Sequence, residues 1–406
     1  MTRIPLKMAR GGITAPTGFV AAGIHCGIKK AKALDLSLVV SECAGPIAGL
    51  FTTNRVQAAP VLLNRAFLKQ GAGRAFFINS GNANAFTGPQ GMADAREMAL
   101  LAAQALQEPS ETIFVGSTGV ISNPLPMNAI RQGLPTLVKK LRKAGGHDAA
   151  QAIMTTDLKV KEIAYSAKIG GQTITVGGMA KGSGMIHPDM ATMLAYITTD
   201  AAIEQPTLQQ ALAAATAASF NCISVDGDTS TNDTVLCLAN GTAGNPVLCR
   251  GSHDLAVFQH LLNTVCLDLA MKIVWDGEGV TRVVRFDVTG AATDSDARQV
   301  AKTIGTSLLV KTALFGADAN WGRIIAATGR AGVAIDPDKL SLSFNDIPVV
   351  KAGQGVGPTA QKKIDRLVKQ AHFTVAVDLG QGKASARLWT TDLSYDYVRI
   401  NASYRS

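Results

Sequence analysis

The alternation of short strand-like runs with longer helical patterns most strongly limits the folds open to this chain of 406 residues. Runs of β-branched and aromatic residues predict strands, whereas apolar residues that recur every three to four positions predict helices. In the first half, the predicted strands are 36–40, 75–78, 113–115 and 173–176, and the predicted helices are 93–106 and 127–141. Strands that alternate with helices indicate an α/β fold.

The same alternation continues through the second half. The predicted strands are 194–197, 234–238, 282–288, 340–344, 373–377 and 384–388, and the predicted helices are 208–218, 254–273 and 360–370. The last strands have their own alternating apolar residues, which would suffice for a separate core. We therefore predict two domains, residues 1–285 and a smaller C-terminal α/β domain of residues 286–406, with no Ser/Pro-rich linker between them.

The composition argues against several classes of protein. The formal net charge is +9, but the basic residues are dispersed and not interleaved with aromatic residues, so no nucleic-acid partner is predicted. No apolar run reaches the roughly 18 uninterrupted residues of a membrane span, and the N-terminus lacks an apolar signal segment. We expect a cytoplasmic enzyme without a membrane partner.

The six cysteines show neither a CxxC spacing nor a histidine at metal-ligand distance. This pattern argues against a zinc site and against a disulfide framework. We expect all of them to be reduced, small, buried apolar residues. They are Cys26, Cys43, Cys222, Cys237, Cys249 and Cys266.

The stretch most informative about function runs from Lys181 to Leu194 and reads KGSGMIHPDMATML. Gly182 and Gly184 permit bends that a Cβ would obstruct, and Thr192 follows them at the start of an apolar run. If the peptide bond between Ala191 and Thr192 is broken, the freed α-amine, with a pKa of about 7.7–8.0, becomes a base beside the threonine hydroxyl. The residues alone also fit a plain turn before a strand.

Further segments carry groups suited to acyl transfer. The run from Ile113 to Ile121, IFVGSTGVI, ends a strand in glycine-bracketed hydroxyls, a shape that can direct a hydroxyl and a backbone N–H to one oxyanion. Lys181 is suited to a substrate carboxylate, and Glu278, between two glycines, is suited to a substrate ammonium. By residue type alone, these groups also fit a turn, a surface lysine and a loop acid.

Together these segments closely resemble the glutamate N-acetyltransferase family, also called ornithine acetyltransferase, of arginine biosynthesis. The resemblance extends from about Gly18 to the last residue and includes the Lys181 to Leu194 stretch, Ser-Thr-Gly-Val at 117–120 and Thr-Thr-Asp at 155–157. It is this extended match that favours the catalytic interpretation over the plain turn.

Two departures and two further stretches complete the comparison with the family pattern. His187 and Asp189 stand where the family commonly has Ala and Asn, which bears on local pKa values more than on the reaction. The stretches Asn79–Ala85 and Gly316–Arg323 are also family-like, and their Asn and Gly residues predict tight turns with positive φ and a mainly architectural role.

The resemblance implies a layered α/β sandwich of the ornithine acetyltransferase and L-aminopeptidase/D-esterase type, with a smaller C-terminal α/β domain. It implies autocatalytic cleavage between Ala191 and Thr192 into an α chain, 1–191, and a β chain, from 192, with two of each in the assembly. The implied reaction moves the acetyl group of N-acetylornithine to L-glutamate through an acetyl-Thr192 ester, in ping-pong order and without a metal or organic cofactor. The resemblance leaves open whether acetyl-CoA also serves as an acetyl donor.

The resemblance also implies roles for individual residues. Thr192 would be the nucleophile, and Thr118 with Gly119 would form the oxyanion hole. The implied substrate-binding residues are Thr155, Lys181, Thr192, Glu278, Asn401 and Ser406, the last of which stands where the family usually has Thr. By position alone, the C-terminal residues would be expected to fray.

Two alternatives remain open at this stage. A self-cleaving aminopeptidase of the related L-aminopeptidase/D-esterase group would use water as the acceptor, although its β chain normally begins with Ser. A non-catalytic protein whose glycine-rich loops bind a small anion is the alternative outside the enzymes. Migration as one intact chain on a denaturing gel would favour this second alternative.

Overall fold

The computed structural model describes residues 5–30, 32–187 and 193–403. Within these ranges the chain forms two β-sheets with helices packed on them, so the α/β prediction is confirmed. The strands are β1 (Lys7–Met8), β2 (Phe19–Ile24), β3 (Leu36–Phe51), β4 (Ala72–Asn82), β5 (Ile113–Val120), β6 (Lys161–Ile169), β7 (Gln172–Lys181), β8 (Leu194–Thr199), β9 (Ile223–Ser224), β10 (Thr234–Ala239), β11 (Val283–Ala291), β12 (Ser341–Phe344), β13 (Ile347–Lys351), β14 (Gln354–Gly355), β15 (His372–Asp378) and β16 (Ala384–Thr391). The helices are α1 (Ala59–Phe67), α2 (Gly88–Leu106), α3 (Met127–Lys139), α4 (Gly146–Ala152), α5 (Gln205–Ala217), α6 (Leu255–Trp275), α7 (Asp294–Gly305), α8 (Leu308–Phe315), α9 (Trp321–Gly329), α10 (Pro358–Leu367) and α11 (Tyr395–Ser403).

The first sheet folds back on itself and so makes two β layers. Its nine strands follow the order β1-β6-β7-β8-β10-β3-β4-β5, with β2 paired to β3. The long strand β3 belongs to both layers, and its pairing with β4 is irregular between Val40 and Gly45. Between the layers, the rings of Phe76 on β4 and Tyr196 on β8 lie 5.1 Å apart. These side chains belong to one buried core that also contains Leu236.

Helices cover the outer faces of both layers. On one side, α5 and α6 bury side chains such as Leu212 and Leu269 against Ile197 of β8. On the other side, α2 and its neighbours bury side chains such as Met98 against Phe77 of β4. Because successive side chains of a strand point to opposite faces, each strand contributes to both an outer and the inner core. The result is the layered α/β sandwich that the family resemblance implied.

Helix α6 is long and apolar enough to cross a membrane by length and composition alone. Its most apolar window has a mean hydropathy of 1.3, and half of that window is buried in the protein. The core helix of a globular protein passes the same test. Here α6 packs against β6, β7 and α5 through residues that include Phe258 and Val265, so its apolar character is explained by the core.

The second sheet has seven strands in the order β14-β13-β12-β15-β11-β16-β9. Helices α7 and α9 share with it a separate core around Phe286, Phe344 and Phe373. The predicted boundary at residue 285 falls inside β11, and the short strand β9, from the earlier part of the chain, pairs in parallel with β16. The division into two domains stays a prediction.

The predicted elements correspond to observed ones, but several helices and strands, among them β2, β6 and β13, were not predicted. The predicted helices correspond to α2, α3, α5, α6 and α10, with ends that differ by a few residues. Helix α7 was not predicted, although Thr293, a residue type favoured at the N-cap of a helix, precedes it. Its hydroxyl accepts a hydrogen bond from the Asp296 amide at 3.1 Å. The predicted turns with positive φ occur, for example at Asn84 and Asn320.

All six cysteines are free thiols. Cys237 and Cys266 are buried as expected. The expectation of burial is wrong for Cys43, which is exposed, and for the half-buried Cys26, Cys222 and Cys249. Cys43 lies on β3 in the exposed stretch that accompanies the irregular pairing with β4. Burial raises the pKa of the Cys237 thiol to about 12, which keeps this side chain protonated and unreactive.

Candidate active site

A pocket gathers most of the residues that the sequence had singled out. Its lining includes six of them: Thr118, Gly119, Thr155, Lys181, Glu278 and Asn401. The remaining lining residues are Ala83, Ile121, Thr156, Gly184, Met185, Ser230, Thr231 and Asn232. Ala191, Thr192, Asp189 and Ser406 lie outside the described residues.

Thr118 and Gly119 lie at the end of β5, where it runs parallel to β4. Thr118 is buried and pairs in register with Ser80, and Gly119 pairs with Gly81. Gly119 has φ +136°, and a Cβ there would lie 2.3 Å from the carbonyl carbon of Gly81. Only glycine fits this close approach. The backbone N–H of Gly119 and the Thr118 hydroxyl thus belong to a rigid strand end at the pocket.

An amide network fixes this strand end. The Asn232 side chain donates to the Ser117 carbonyl at 2.8 Å and to the Ala83 carbonyl at 2.6 Å. The Ser117 hydroxyl donates to Asn79 Oδ1 at 2.7 Å. The Asn-rich stretch therefore has the architectural role expected of it, and Asn232 joins it to the opposite wall of the pocket.

Thr155 is held by a buried carboxylate. Asp157 Oδ2 accepts a hydrogen bond from the Thr155 amide at 2.9 Å, and its Oδ1 accepts from Lys161 Nζ at 2.5 Å and from the Gly182 amide at 2.8 Å. Burial alone would raise the pKa of Asp157, but the Lys181 and Lys161 ammonium groups outweigh it and lower the pKa to about 2. Asp157 is therefore a fixed anion beneath the pocket.

Lys181 ends β7 and is only 5% exposed. Burial lowers its pKa, Lys161 lowers it further, and the carboxylates of Asp157, Asp233 and Glu278 oppose that change. Among the residues that the structure describes, its ammonium makes no ion pair within 4.0 Å. An ammonium placed in this way at a pocket is well suited to receive the carboxylate of a small molecule.

Glu278 meets the C-terminal helix across the pocket. Asn401 Nδ2 on α11 donates to Glu278 Oε2 at 2.9 Å, and the Glu278 amide donates to the Ser183 carbonyl at 3.1 Å. A Cβ at Gly184 would lie 2.5 Å from the Glu278 carboxylate, so a larger residue there would displace this side chain. As far as Ser403 the C-terminal residues form α11 and do not fray, and Asn401 on this helix contacts Glu278.

Two acids, the half-buried Asp226 and the buried Asp233, hold the chain on both sides of residues 188–192. Asp226 accepts hydrogen bonds from the amides of Met185 and Ile186 at 2.5 and 2.9 Å. Beyond those residues, the Met193 amide donates to Asp233 Oδ1 at 3.1 Å. Burial raises the pKa of Asp233 well above its ordinary value, against the influence of the Met193 amide. The ends of the predicted cleavage segment are thus fixed in the fold.

Sequence reasoning missed these acids and the polar wall at Ser230, Thr231 and Asn232. The signal that pointed to them is a nearly unbroken polar run between the strand pattern of β9 and that of β10, residues 226–233. Ser230, Thr231, Asn232 and Asp233 are all buried. A polar run that a core encloses has to satisfy its hydrogen bonds there, which makes it a candidate site.

The lining supplies four kinds of group at one place: a hydroxyl, a backbone N–H, an ammonium and a carboxylate. Such a set can bind a small zwitterion and stabilise the oxyanion of acyl transfer. Within residues 5–30, 32–187 and 193–403, no cluster of three or more His, Cys, Asp or Glu side chains could hold a metal ion.

Comparison with known proteins gives consistent matches. The sequence model of the ArgJ family matches residues 20–406. The arginine biosynthesis bifunctional protein ArgJ of Symbiobacterium thermophilum is 50% identical over 403 residues, which cover 99% of this chain and 100% of that relative. The protein of the same name from Geobacter sulfurreducens is 48% identical over 96% of this chain and 99% of its own length.

A solved structure is also similar. The crystal structure of arginine biosynthesis bifunctional protein argJ from Bacillus halodurans has 44% sequence identity and a TM-score of 0.50. The match covers 52% of this chain and 98% of the crystallised chain.

Proposed function

Because the chain belongs to the ArgJ family, we propose that it transfers the acetyl group of N-acetylornithine to L-glutamate through an ester on Thr192. The products are ornithine and N-acetylglutamate, so the enzyme is an acyltransferase of arginine biosynthesis. The family assignment favours this function over the related aminopeptidase and over a non-catalytic anion-binding protein. We further propose acetyl-CoA as a second donor, in keeping with the word bifunctional in the relatives' names.

Maturation comes first in the proposed mechanism. The Thr192 hydroxyl oxygen attacks the Ala191 carbonyl carbon, and the acyl group moves from nitrogen to oxygen. Water then hydrolyses the ester, which leaves a carboxylate on Ala191 and a free α-amine on Thr192. The chains 1–191 and 192–406 would stay together, two of each, in the cytoplasm.

The length of the Bacillus halodurans chain supports cleavage. Residues 192–406 are 215 of 406 residues, or 53% of the sequence. The crystallised chain aligns over nearly its whole length and covers 52% of this protein, whereas the curated relatives cover 96% or more of it. A chain of about half the precursor's length is what a cut before Thr192 would produce.

Acetyl transfer then proceeds in two half-reactions. The α-amine of Thr192 takes the hydroxyl proton as the oxygen attacks the acetyl carbon of N-acetylornithine, and it returns that proton to the departing ornithine nitrogen. The amine of glutamate next attacks the ester carbon and the bond to the Thr192 oxygen breaks. The proton lost by the glutamate amine passes through the α-amine to that oxygen, so the hydroxyl is restored and N-acetylglutamate leaves. In both half-reactions the Thr118 hydroxyl and the Gly119 N–H would donate to the oxyanion.

Substrate charges are matched by the rest of the pocket. We assign Lys181 to the α-carboxylate shared by both substrates, and Glu278, held by Asn401, to the side-chain ammonium of ornithine. Thr155 and Ser406 would complete the binding site. The observation that carries this proposal is the convergence of six family-matched residues, from five distant parts of the chain, on one pocket.

A denaturing gel with intact-mass analysis tests the maturation step. The purified protein is expected as two fragments, Met1 to Ala191 and Thr192 to Ser406. Thr192→Ala should remain one inactive chain, whereas Thr192→Ser, which keeps a hydroxyl and an α-amine, should still be cut. Two fragments in the alanine variant would show that another group performs the attack.

A mass shift on the fragment that begins at Thr192 tests the transfer step. Incubation with N-acetylornithine should add one acetyl group to that fragment, and added glutamate should remove it and yield N-acetylglutamate. Loss of the acetyl group at the same rate without glutamate would instead support a hydrolase.

A further inference from the structure

Asp226 lies in the loop after β9 and binds the segment that precedes the predicted cleavage bond. Its two carboxylate oxygens accept hydrogen bonds from the backbone amides of Met185 and Ile186, at 2.5 and 2.9 Å. The Ile186 carbonyl in turn accepts hydrogen bonds from the Val225 amide at 2.8 Å and from the Ser224 hydroxyl at 3.2 Å. The segment is therefore fastened on both its donor and its acceptor sides.

The fastened segment has a strained backbone. Met185 has φ +59°. This is the left-handed region of the backbone, which residues other than Gly, Asn and Asp rarely adopt. Such strain persists only where the surrounding structure enforces it. The hydrogen bonds from Met185 and Ile186 to a carboxylate are of the strong, charge-assisted kind, and they act at and next to the strained residue.

The charge of Asp226 also acts on the C-terminal helix. Burial, and then the carboxylates of Asp226 and Glu278, raise the pKa of the Tyr397 hydroxyl on α11. The same helix carries Asn401, which binds Glu278.

Hydrogen bonds from backbone amides favour the anionic form of Asp226, whereas its burial and the Asp228 carboxylate oppose that form. Burial raises its pKa to about 6, while the amides of Met185, Asp228 and Ile186 oppose that rise and the Asp228 carboxylate adds to it. Lys311 on α8, whose own pKa burial lowers to about 8, contributes a positive charge nearby. The carboxylate is therefore available as the acceptor for both amides.

We propose that Asp226 is a positioning residue for maturation. It holds Met185 in the left-handed conformation and so fixes the backbone at Met185 and Ile186, ahead of the predicted cleavage bond. The inference rests on the proposed function, because it presupposes cleavage before Thr192.

The first experiment follows the appearance of the two fragments after synthesis of the full chain. Asp226→Ala, which has no acceptor, should slow cleavage about tenfold or more, equivalent to about 1.4 kcal/mol or more in the activation barrier. Asp226→Asn keeps one acceptor oxygen and should restore an intermediate rate. The matched control Asp228→Asn alters an exposed acid two residues away and should be cleaved as fast as wild type.

The second experiment does not depend on cleavage. Hydrogen exchange at the Met185 and Ile186 amides is compared between Thr192→Ala and the double variant Thr192→Ala/Asp226→Ala. The added substitution should speed exchange at these two amides, with little change at amides of β12, which lies in the other sheet. Thermal unfolding of the same proteins shows whether the whole fold is altered.

The outcomes separate the two hypotheses. A wild-type protein that stays whole refutes the proposed function. A cleaved wild type, with Asp226→Ala cleaved at the same rate, refutes only the role of Asp226. Unchanged hydrogen exchange at the Met185 and Ile186 amides also refutes the role of Asp226. The same role is refuted if Asp226→Ala is cleaved slowly and Asp226→Asn is cleaved no faster.

Discussion

Replacing Lys161 with Met should destabilise the folded protein, because methionine has a similar length but no charge. Lys161 is 1% exposed, and its ammonium lies 2.5 Å from Asp157 Oδ1 and 2.6 Å from Asp276 Oδ2. Removing one partner of a buried ion pair typically costs about 3–5 kcal/mol, since the remaining charge stays buried without compensation. Here two carboxylates lose the same ammonium, so we expect a loss of at least about 3 kcal/mol.

The pH dependence gives this prediction a second test. The pKa of Asp157 is lowered from 3.8 to about 2, because nearby ammonium groups outweigh its burial. A folded-state pKa below the unfolded value means that this carboxylate stabilises the fold above about pH 4, and that the contribution disappears as the pH falls toward 2. Without Lys161 that contribution shrinks. The difference between wild type and Lys161→Met should therefore be largest at neutral pH and smaller near about pH 3.

Urea unfolding followed by tryptophan fluorescence measures this effect, and Trp275, next to Asp276, is a local probe. The matched control is Lys159→Met, whose side chain is exposed and whose backbone carbonyl, which accepts from Lys161 at 3.2 Å, is unchanged. An unfolding midpoint of Lys161→Met equal to that of wild type would refute the reasoning. An equal shift in Lys159→Met would refute it too, because the loss would then not come from the buried ion pairs.

Three further substitutions test the pocket. Thr118→Ala should slow acetyl transfer by roughly 10²–10³-fold if its hydroxyl stabilises the oxyanion, and unchanged turnover in a steady-state assay would make it a turn residue. Glu278→Gln should lower kcat/KM for N-acetylornithine, with a loss of transition-state stabilisation on the order of 2–5 kcal/mol, because the ornithine ammonium loses its counter-charge. Cleavage should remain normal, and the exposed control Glu111→Gln should behave as wild type. An unchanged kcat/KM in Glu278→Gln would exclude this role. Gly119→Ala should lower the urea midpoint of unfolding. Alanine at φ +136°, with its Cβ 2.3 Å from the Gly81 carbonyl carbon, would lower the free energy of unfolding by roughly 1–3 kcal/mol or more. An unchanged midpoint would mean that the strand end is not as rigid as described.

Local sequence predicted the features that depend on neighbours along the chain. The alternation of strand and helix patterns identified ten strands of the two sheets, though not β2 or β6, and five of the described helices, since periodicity reflects which face of an element is buried. Short helices such as α8 and α9 escaped, because eight or nine residues give too few turns to define a face. The segments around Thr118, Thr155 and Lys181 were recognisable because each is contiguous and matches a family pattern.

Only the tertiary structure decided which polar residues are buried and what they bind. Lys161 and Lys159 differ little in local sequence, yet one is enclosed with two carboxylates and the other is exposed. Asp226 lies 40 positions from Ile186, so their hydrogen bond exists only once β9 and the loop after β7 have come together. The sequence determined which hydroxyl, ammonium and carboxylate groups the chain carries. Their burial, and with it their charge state and partners, came from packing, because desolvation and hydrogen bonding depend on distance in space rather than along the chain.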